Sequence, residues 1–470
     1  LTDLTARLTG EGARLAEANG MAAYAEAGEA LERVATLYVL DALRRRGLRL
    51  EPGRQFGFGA LAESLGIAER HHRLFRRLLE MLSQDGILAR HERRWSVLTA
   101  PEEGDAEAAA EEVERRFPQM TGEIRVLRRC GAALAEVLAG EVDPLTLLFP
   151  ADDAGAGAFY ADSGYARTVN GLLRAATAAL SGTTPAGRPL RVLEVGAGTG
   201  GATGAVLEGL GDAARSYVFT DLSAGFLSAA RERFGADAIE TRILDIEADP
   251  TAQGLAAGSA DIVLAANVLH ATRDIGQSLA HARSLLAPGG VLMLVESSSP
   301  RRWVDIVFGL TEGWWRFEDT GRRPDHPLLS PDGWRAALAE AGFEPGLVEG
   351  SDVILARRPL ETVAPETGSW ALTGDPGLCG DLSEALAAAG QSIAYPSLAD
   401  HRVHVVPASG SDEAAQSALL LDLVALAKEA AESAVPQHLT LVATGAPGHA
   451  GLSGFVRTLA MEEPELTPRL

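Results

Sequence analysis

Apolar residues recur at helical spacing over about the first 145 residues, as in Leu31, Val34, Leu37, Tyr38, Leu40 and Leu43, and no glycine-rich strand-to-helix turn interrupts them. This predicts a mainly helical region. Within it, the apolar positions from Leu61 to Ile67, then Leu74, Leu78, Leu79 and Leu82, then the short runs 85–88 and 95–98, predict helix, turn, helix and two short strands, the order of a winged helix. Small and acidic residues from Gly140 to Gly157 predict a linker. From Arg191 the period changes. Short apolar strands alternate with helical segments, the pattern of a parallel sheet covered on both faces. A stretch with Pro365 and Gly368 precedes a third region, Ser369 to Leu470, where strand and helix patterns start again. The expected fold class is α/β: a helical lid over 1–150, a Rossmann-like core over 151–360, and a truncated Rossmann-like subdomain over 366–470.

The run from Arg191 to Val195 leads straight into Gly196-Ala197-Gly198-Thr199-Gly200-Gly201, with a helix expected near Ala202. Glycine is needed where the backbone turns sharply or a ligand touches it. A dinucleotide pyrophosphate is one candidate for such a turn. Glu194, however, stands two residues before the first glycine, and the turn holds no basic residue. A carboxylate there repels pyrophosphate and suits the ammonium and sulfonium of S-adenosylmethionine. The next strand ends at Asp221-Leu222, where an acid can accept both hydroxyls of a ribose. Asp245-Ile246, after a third strand, would flank an adenine. Glu194, Gly196, Ala197, Gly198, Asp221, Leu222, Asp245, Ile246 and Asn267 are therefore the candidate cofactor residues.

The strands 261–267 and 291–295 are joined by one helix, so they should be neighbours in the sheet. His270 and Glu296 lie just past their carboxyl ends, at the edge where open α/β sheets bind ligands. A carboxylate bonded to the imidazole would fix one tautomer and raise the basicity of the other nitrogen.

Length and charge narrow the field. At 470 residues the chain should hold two or three domains. With 42 Lys and Arg against 64 Asp and Glu, the formal charge of −22 opposes tight binding to nucleic acid or an anionic membrane. A DNA-binding reading of His71, His72, Arg73, Arg76 and Arg77 on the second winged-helix helix therefore has the wrong overall sign behind it. Cys130 and Cys379 are the only cysteines, without the paired spacing of a zinc site or a disulfide framework, which fits a reducing cytoplasm. No metal is expected. No apolar run approaches the roughly 20 residues that span a bilayer, and a start at Leu1 rather than Met reads as a segment of a larger enzyme.

The chain resembles the carbon-methylating domains of polyketide synthases, within the class of S-adenosylmethionine methyltransferases. The matching text is Val192 to Gly201, Asn267 to Thr272, Leu285 to Gly290 with Glu296, Gly309 to Trp315, and His326 to Ser330, and the resemblance covers about residues 20 to 358. It implies a class I methyltransferase core, S-adenosylmethionine as donor with S-adenosylhomocysteine as product, and His270 and Glu296 as the catalytic pair. It implies as acceptor a β-ketoacyl thioester on the phosphopantetheine arm of an acyl carrier protein, beside neighbouring synthase domains. Tyr160, Tyr165, Asn170, Glu312 and Trp315 are candidates for the substrate pocket. An acidic carrier would dock on a local arginine patch, Arg322 with Arg323 or Arg76 with Arg77. Residues 369–470 resemble the front half of a ketoreductase. That enzyme needs a Tyr four residues before its Lys; the single lysine, Lys428, is preceded there by Val424, so this part is expected to be structural. Methylation on oxygen, or a non-catalytic scaffold, remains an alternative.

Overall fold

In the N-terminal region, the helix His72–Gln84 buries Leu74, Phe75, Leu78, Leu79, Met81 and Leu82, the stripe that its spacing dictates. The helix Met21–Arg45 buries Leu31, Val34, Tyr38 and Leu43 into the same core. Strands β1 (Gln55–Gly57), β2 (Leu88–His91) and β3 (Arg94–Val97) form an antiparallel sheet in the order β1-β3-β2. With the helices Phe58–Ser64 and His72–Gln84 they complete a winged-helix arrangement; β1 is an added strand, too short to leave an alternating signal.

The computed structural model describes all residues except 93, 103, 150–162, 183–188, 212–214, 236, 361–367, 408–411, 434–436 and 444–451. The linker expected from Gly140 to Gly157 falls largely outside the described residues, as does Tyr160. Two compact units result, residues 1–360 and 361–470. The helical region and the α/β core share the first unit: Trp303, Ile306, Val307, Leu310, Trp314, Trp315 and Phe317, far along the chain, pack into the core that residues 27–148 build. A boundary near 150 therefore does not divide this unit.

The core is a seven-stranded sheet built from β4 (Leu190–Val195), β5 (Arg215–Asp221), β6 (Glu240–Ile243), β7 (Ala260–Ala266), β8 (Leu286–Val295), β9 (Glu344–Leu347) and β10 (Val353–Arg357). Its order is β6-β5-β4-β7-β8-β10-β9. The pairs from β6 to β8 are parallel, and β10 runs antiparallel to both β8 and β9. Central strands bury nearly every side chain, as strands covered on both faces must. One face packs on the helices Thr2–Ala18, Gly164–Ser181 and Gly201–Leu210, the other on Ile275–Leu285 and Pro331–Glu340. Ser163, Asp274 and Ser330 cap three of these helices by accepting from Ala166, Gln277 and Gly333 N–H. The strand order reverses between β4 and β7. A crevice opens there at the carboxyl ends.

The second unit holds a parallel sheet, β11 (Ser369–Gly374), β12 (Ser392–Ile393), β13 (His401–Val405) and β14 (His438–Val442), in the order β12-β11-β13-β14. The helix Pro376–Ala388 follows β11, and Asp375 caps it by accepting from Gly377 and Leu378 N–H at 3.0 Å.

Candidate active site

The turn after β4 takes positive φ at Gly196 (58°), Gly198 (54°) and Gly200 (74°), a conformation that side chains resist. A Cβ on Gly196 would also lie 2.8 Å from Val268, whereas one on Gly198 would meet nothing within 4 Å, so the turn is tight behind and open in front. Asp221 holds it in place: one carboxylate oxygen accepts from Gly198 N–H at 2.9 Å and the other from Ser223 N–H at 2.8 Å.

Glu194 is buried, and its Oε2 accepts from Thr203 and Tyr217 hydroxyls, each at 2.6 Å, leaving Oε1 as the free oxygen. Burial pushes its carboxyl up to about 7, against the pull of those two bonds. A cavity of about 200 Å³ lies in front of the turn, lined by Glu194, Gly196, Ala197, Gly198, Asn267, Tyr165 and Asn170 among others. Asp221, Leu222, Asp245 and Ile246 are not on its wall. Leu222 is 63% exposed, and Ile246 is buried in the core of the opposite sheet face, so its side chain is not free to cover an adenine as expected. Asp245 uses its side chain to accept from Glu247 N–H at 2.9 Å.

β7 and β8 are adjacent and parallel, as their single connecting helix requires. Asn267, just past β7, adopts φ 56°, an uncommon left-handed conformation that Asn tolerates, and its N–H reaches Val295 O at 2.7 Å. That kink turns the chain so that Val268 and Leu269 N–H donate to Glu296 Oε1 at 3.1 and 2.8 Å. Glu296 Oε2 lies 2.6 Å from His270 Nδ1, and no part of Glu296 is exposed. A fully bonded carboxylate thus fixes Nδ1 as the protonated nitrogen and leaves Nε2 as the basic one.

His270 lines a second cavity of about 630 Å³, together with Tyr24, Ser298, Arg301, Trp303, Trp314 and Leu328. Tyr165, Val169 and Asn267 line both cavities. A smaller and a larger cavity therefore share lining residues next to His270. Tyr165 donates to Asp352 at 2.7 Å and Tyr24 to Glu123 at 2.7 Å; burial next to those carboxyls pushes both phenols upward. Trp314 packs edge-on against His270, ring centres 4.9 Å apart.

Four expectations need correction. Glu312 is exposed and faces Arg70 at 3.7 Å, outside the cavity, because the turn it starts directs Trp314 inward instead. Trp315 is buried but spends its indole N–H on Gly309 O at 2.7 Å and does not line the cavity. Arg323 is buried: it clamps the turn carrying the base, donating to the carbonyls of His270 at 2.7 Å and Thr272 at 2.8 Å while pairing with Asp319. Arg77 is buried on Asp305 at 2.8 Å, Arg73 donates to the carbonyls of Trp315 and Phe317, and Arg76 lies over the Phe58 ring. Each pair thus keeps only one arginine partly at the surface, Arg322, which pairs with Glu340, and Arg76, while on the basic helix Arg73 stays exposed. Among the described residues no group of His, Cys, Asp or Glu is placed to hold a metal, and no helix is long and apolar enough to cross a membrane.

A glycine turn and paired acids at the switch point of a 6-5-4-7-8-10-9 sheet, with a carboxylate-held histidine beside it, define a Rossmann-like methyltransferase core. Residues 193–292 match the methyltransferase domain family. The chain is 35% identical over 321 residues to the non-reducing polyketide synthase adrD of Penicillium roqueforti, covering 66% of this chain and 12% of that protein. It spans only about an eighth of the length of such relatives. The carbon methyltransferase CurJ is similar at 36% identity and TM-score 0.73, covering 76% of this chain and 99% of that one. The CMeT domain of the citrinin polyketide synthase is similar at 26% identity and TM-score 0.69, covering 76% and 96%. This chain belongs to the carbon methyltransferase domains of polyketide synthases, an S-adenosylmethionine-dependent family.

Proposed function

We propose that this chain moves a methyl group from S-adenosylmethionine to the α-carbon of a β-ketoacyl thioester carried by an acyl carrier protein. The 2.6 Å contact between His270 Nδ1 and Glu296, with Nε2 left to the larger cavity, carries the reading. Two residues on the smaller cavity's wall fit the cofactor, Glu194 Oε1 for its ammonium and the open face of Gly198 for close approach, and Asp221, beyond that wall at the end of β5, is the candidate for its ribose. When bound there, it supplies a methyl already activated by a sulfonium, whose carbon–sulfur pair leaves with sulfur.

His270 Nε2 takes the α-proton, which the flanking carbonyls acidify, and the electron pair left on the α-carbon forms the new bond to the methyl. Glu296 balances the imidazolium until the proton passes to solvent. Tyr165 and Asn267, which border both cavities, keep the two reactants in line. Residues 361–470 act as a structural subdomain in this reading. The Asp375 carboxylate already occupies the helix N-terminus where a nucleotide phosphate would sit, and Val424 replaces the tyrosine that a reductase pair needs.

Incubation with S-adenosylmethionine and acetoacetyl-carrier protein, followed by fragmentation of the released pantetheine thioester, tests this. A methyl on the α-carbon is expected. A methyl on oxygen would assign an O-methyltransferase, and cofactor binding without transfer would point to a scaffold.

A further inference from the structure

The wall of the larger cavity is split by chemistry. Trp303, Val304, Phe308, Trp314 and Leu328 form an apolar side. The strand-end loops contribute a polar side, Ser297 to Ser299, Arg301 and Gly350 to Asp352. Arg301 is the only arginine or lysine on this wall among the described residues, and it is exposed.

Neighbouring arginines are all engaged. Arg302 pairs with Asp85 at 2.6 Å, Arg70 faces Glu312, Arg316 pairs with Glu247, and Arg323 is bound to carbonyls and Asp319. The Arg301 guanidinium makes no hydrogen bond or ion pair with a described residue, while its carbonyl accepts from Asp305 N–H at 3.0 Å. Its charge is felt by Glu32, Tyr24 and Asp352, where it works against their burial, yet none reaches it. A chain with formal charge −22 leaves one cation unmatched where the polar side of a substrate-sized cavity meets solvent.

We propose that Arg301 binds the phosphate of a phosphopantetheine arm at the mouth of the larger cavity. This rests on the thioester reading above. The planar guanidinium suits a phosphate with two oxygens in reach. The serines beside it offer hydroxyls to the amide-rich arm, and the apolar side receives the acyl chain, which places the thioester between them, beside His270. The carrier protein, rather than free coenzyme A, is the source of the arm.

The test compares KM for acetoacetyl-pantetheine with that for acetoacetyl-phosphopantetheine, in wild type, R301A and R301K. In wild type the phosphorylated thioester should have a KM about tenfold lower, as one charge-assisted contact at a wet site provides, and added salt should shrink the difference. In R301A the ratio should fall towards one, with R301K between. A ratio near one in wild type, or an undiminished ratio in R301A, overturns the proposal. Acetoacetyl-coenzyme A and acetoacetyl-carrier protein form two further arms, and a lower KM for the coenzyme A thioester overturns the carrier as source. If wild type methylates none of these, the thioester reading fails first. Calorimetric titration of phosphopantetheine against pantetheine then decides Arg301 separately: phosphate-dependent binding lost in R301A supports it, and equal binding overturns it.

Discussion

The imidazole of His270 is tied through Nδ1 to Oε2 of Glu296 at 2.6 Å, while Oε1 of the same carboxylate collects two backbone N–H groups from the turn that carries the histidine. The carboxylate therefore sets both the place and the tautomer of the base. Glu296→Gln keeps an oxygen for the two N–H groups but turns its NH₂ on Nδ1, which forces the proton onto Nε2. Turnover should fall on the order of 100-fold with cofactor affinity intact, and His270→Ala should fall at least as far. Single-turnover rates alongside calorimetry check this; a near-normal rate in either variant removes the general-base assignment.

Asp221 both fixes the glycine turn, through Gly198 N–H, and stands at the strand end where a ribose is expected. Asp221→Ala should weaken S-adenosylmethionine binding by about tenfold or more, the loss of charge-assisted bonds at one site, before it affects the chemical step at saturating cofactor. Unchanged affinity by calorimetry would mean that the nucleoside site lies elsewhere.

Glu194 titrates near 7 because burial disfavours its charge. The unliganded fold holds a proton that the unfolded chain gives up near the ordinary value of 4.5, so this group's contribution to stability declines as pH rises from there to about 7. A cation at Oε1 favours the ionised form. Cofactor affinity should therefore rise about fivefold between pH 6 and 7.5, below the range where the cofactor's own α-amino group loses its proton, with proton release from Glu194. Glu194→Gln should flatten the profile, and equal Kd values for wild type at both ends would contradict the placement.

Asp305, fully buried, joins the winged-helix region to the catalytic wall: it accepts from Arg77 at 2.8 Å and lies 2.9 Å from His326 Nε2, whose ring packs edge-on against both Trp314 and Trp315. His326 Nδ1 accepts from Leu328 N–H, which leaves the Nε2 proton for Asp305. Removing the carboxylate strands a buried guanidinium. Asp305→Ala should cost about 3–5 kcal/mol, read by urea unfolding through tryptophan fluorescence, and a loss under about 1 kcal/mol would show the pair to be dispensable.

Local pattern made part of this legible. The glycine turn, the parallel strands and the adjacency of His270 and Glu296 follow from periodicity and one short connection. What escaped depends on distance along the chain. Tyr24 meets Arg301 and Asp352 at one cavity although it precedes both by more than two hundred residues, and no spacing rule links them. The Arg322–Arg323 dipeptide reads as surface, yet the second arginine lies inside because the turn after His270 leaves carbonyls that need donors. Glu312 and Trp315 were separated from Trp314 by a single turn whose facing a short helix does not reveal in advance.

Tyr165, Val169 and Asn267 each line both chambers. Widening the acceptor chamber by trimming them also loosens the donor chamber, so altered substrate scope and cofactor grip are inherited together. Engineering that aims at bulkier chains has a freer hand on the far side, at Trp303, Phe308 and Leu328, where the chamber can grow without touching its neighbour.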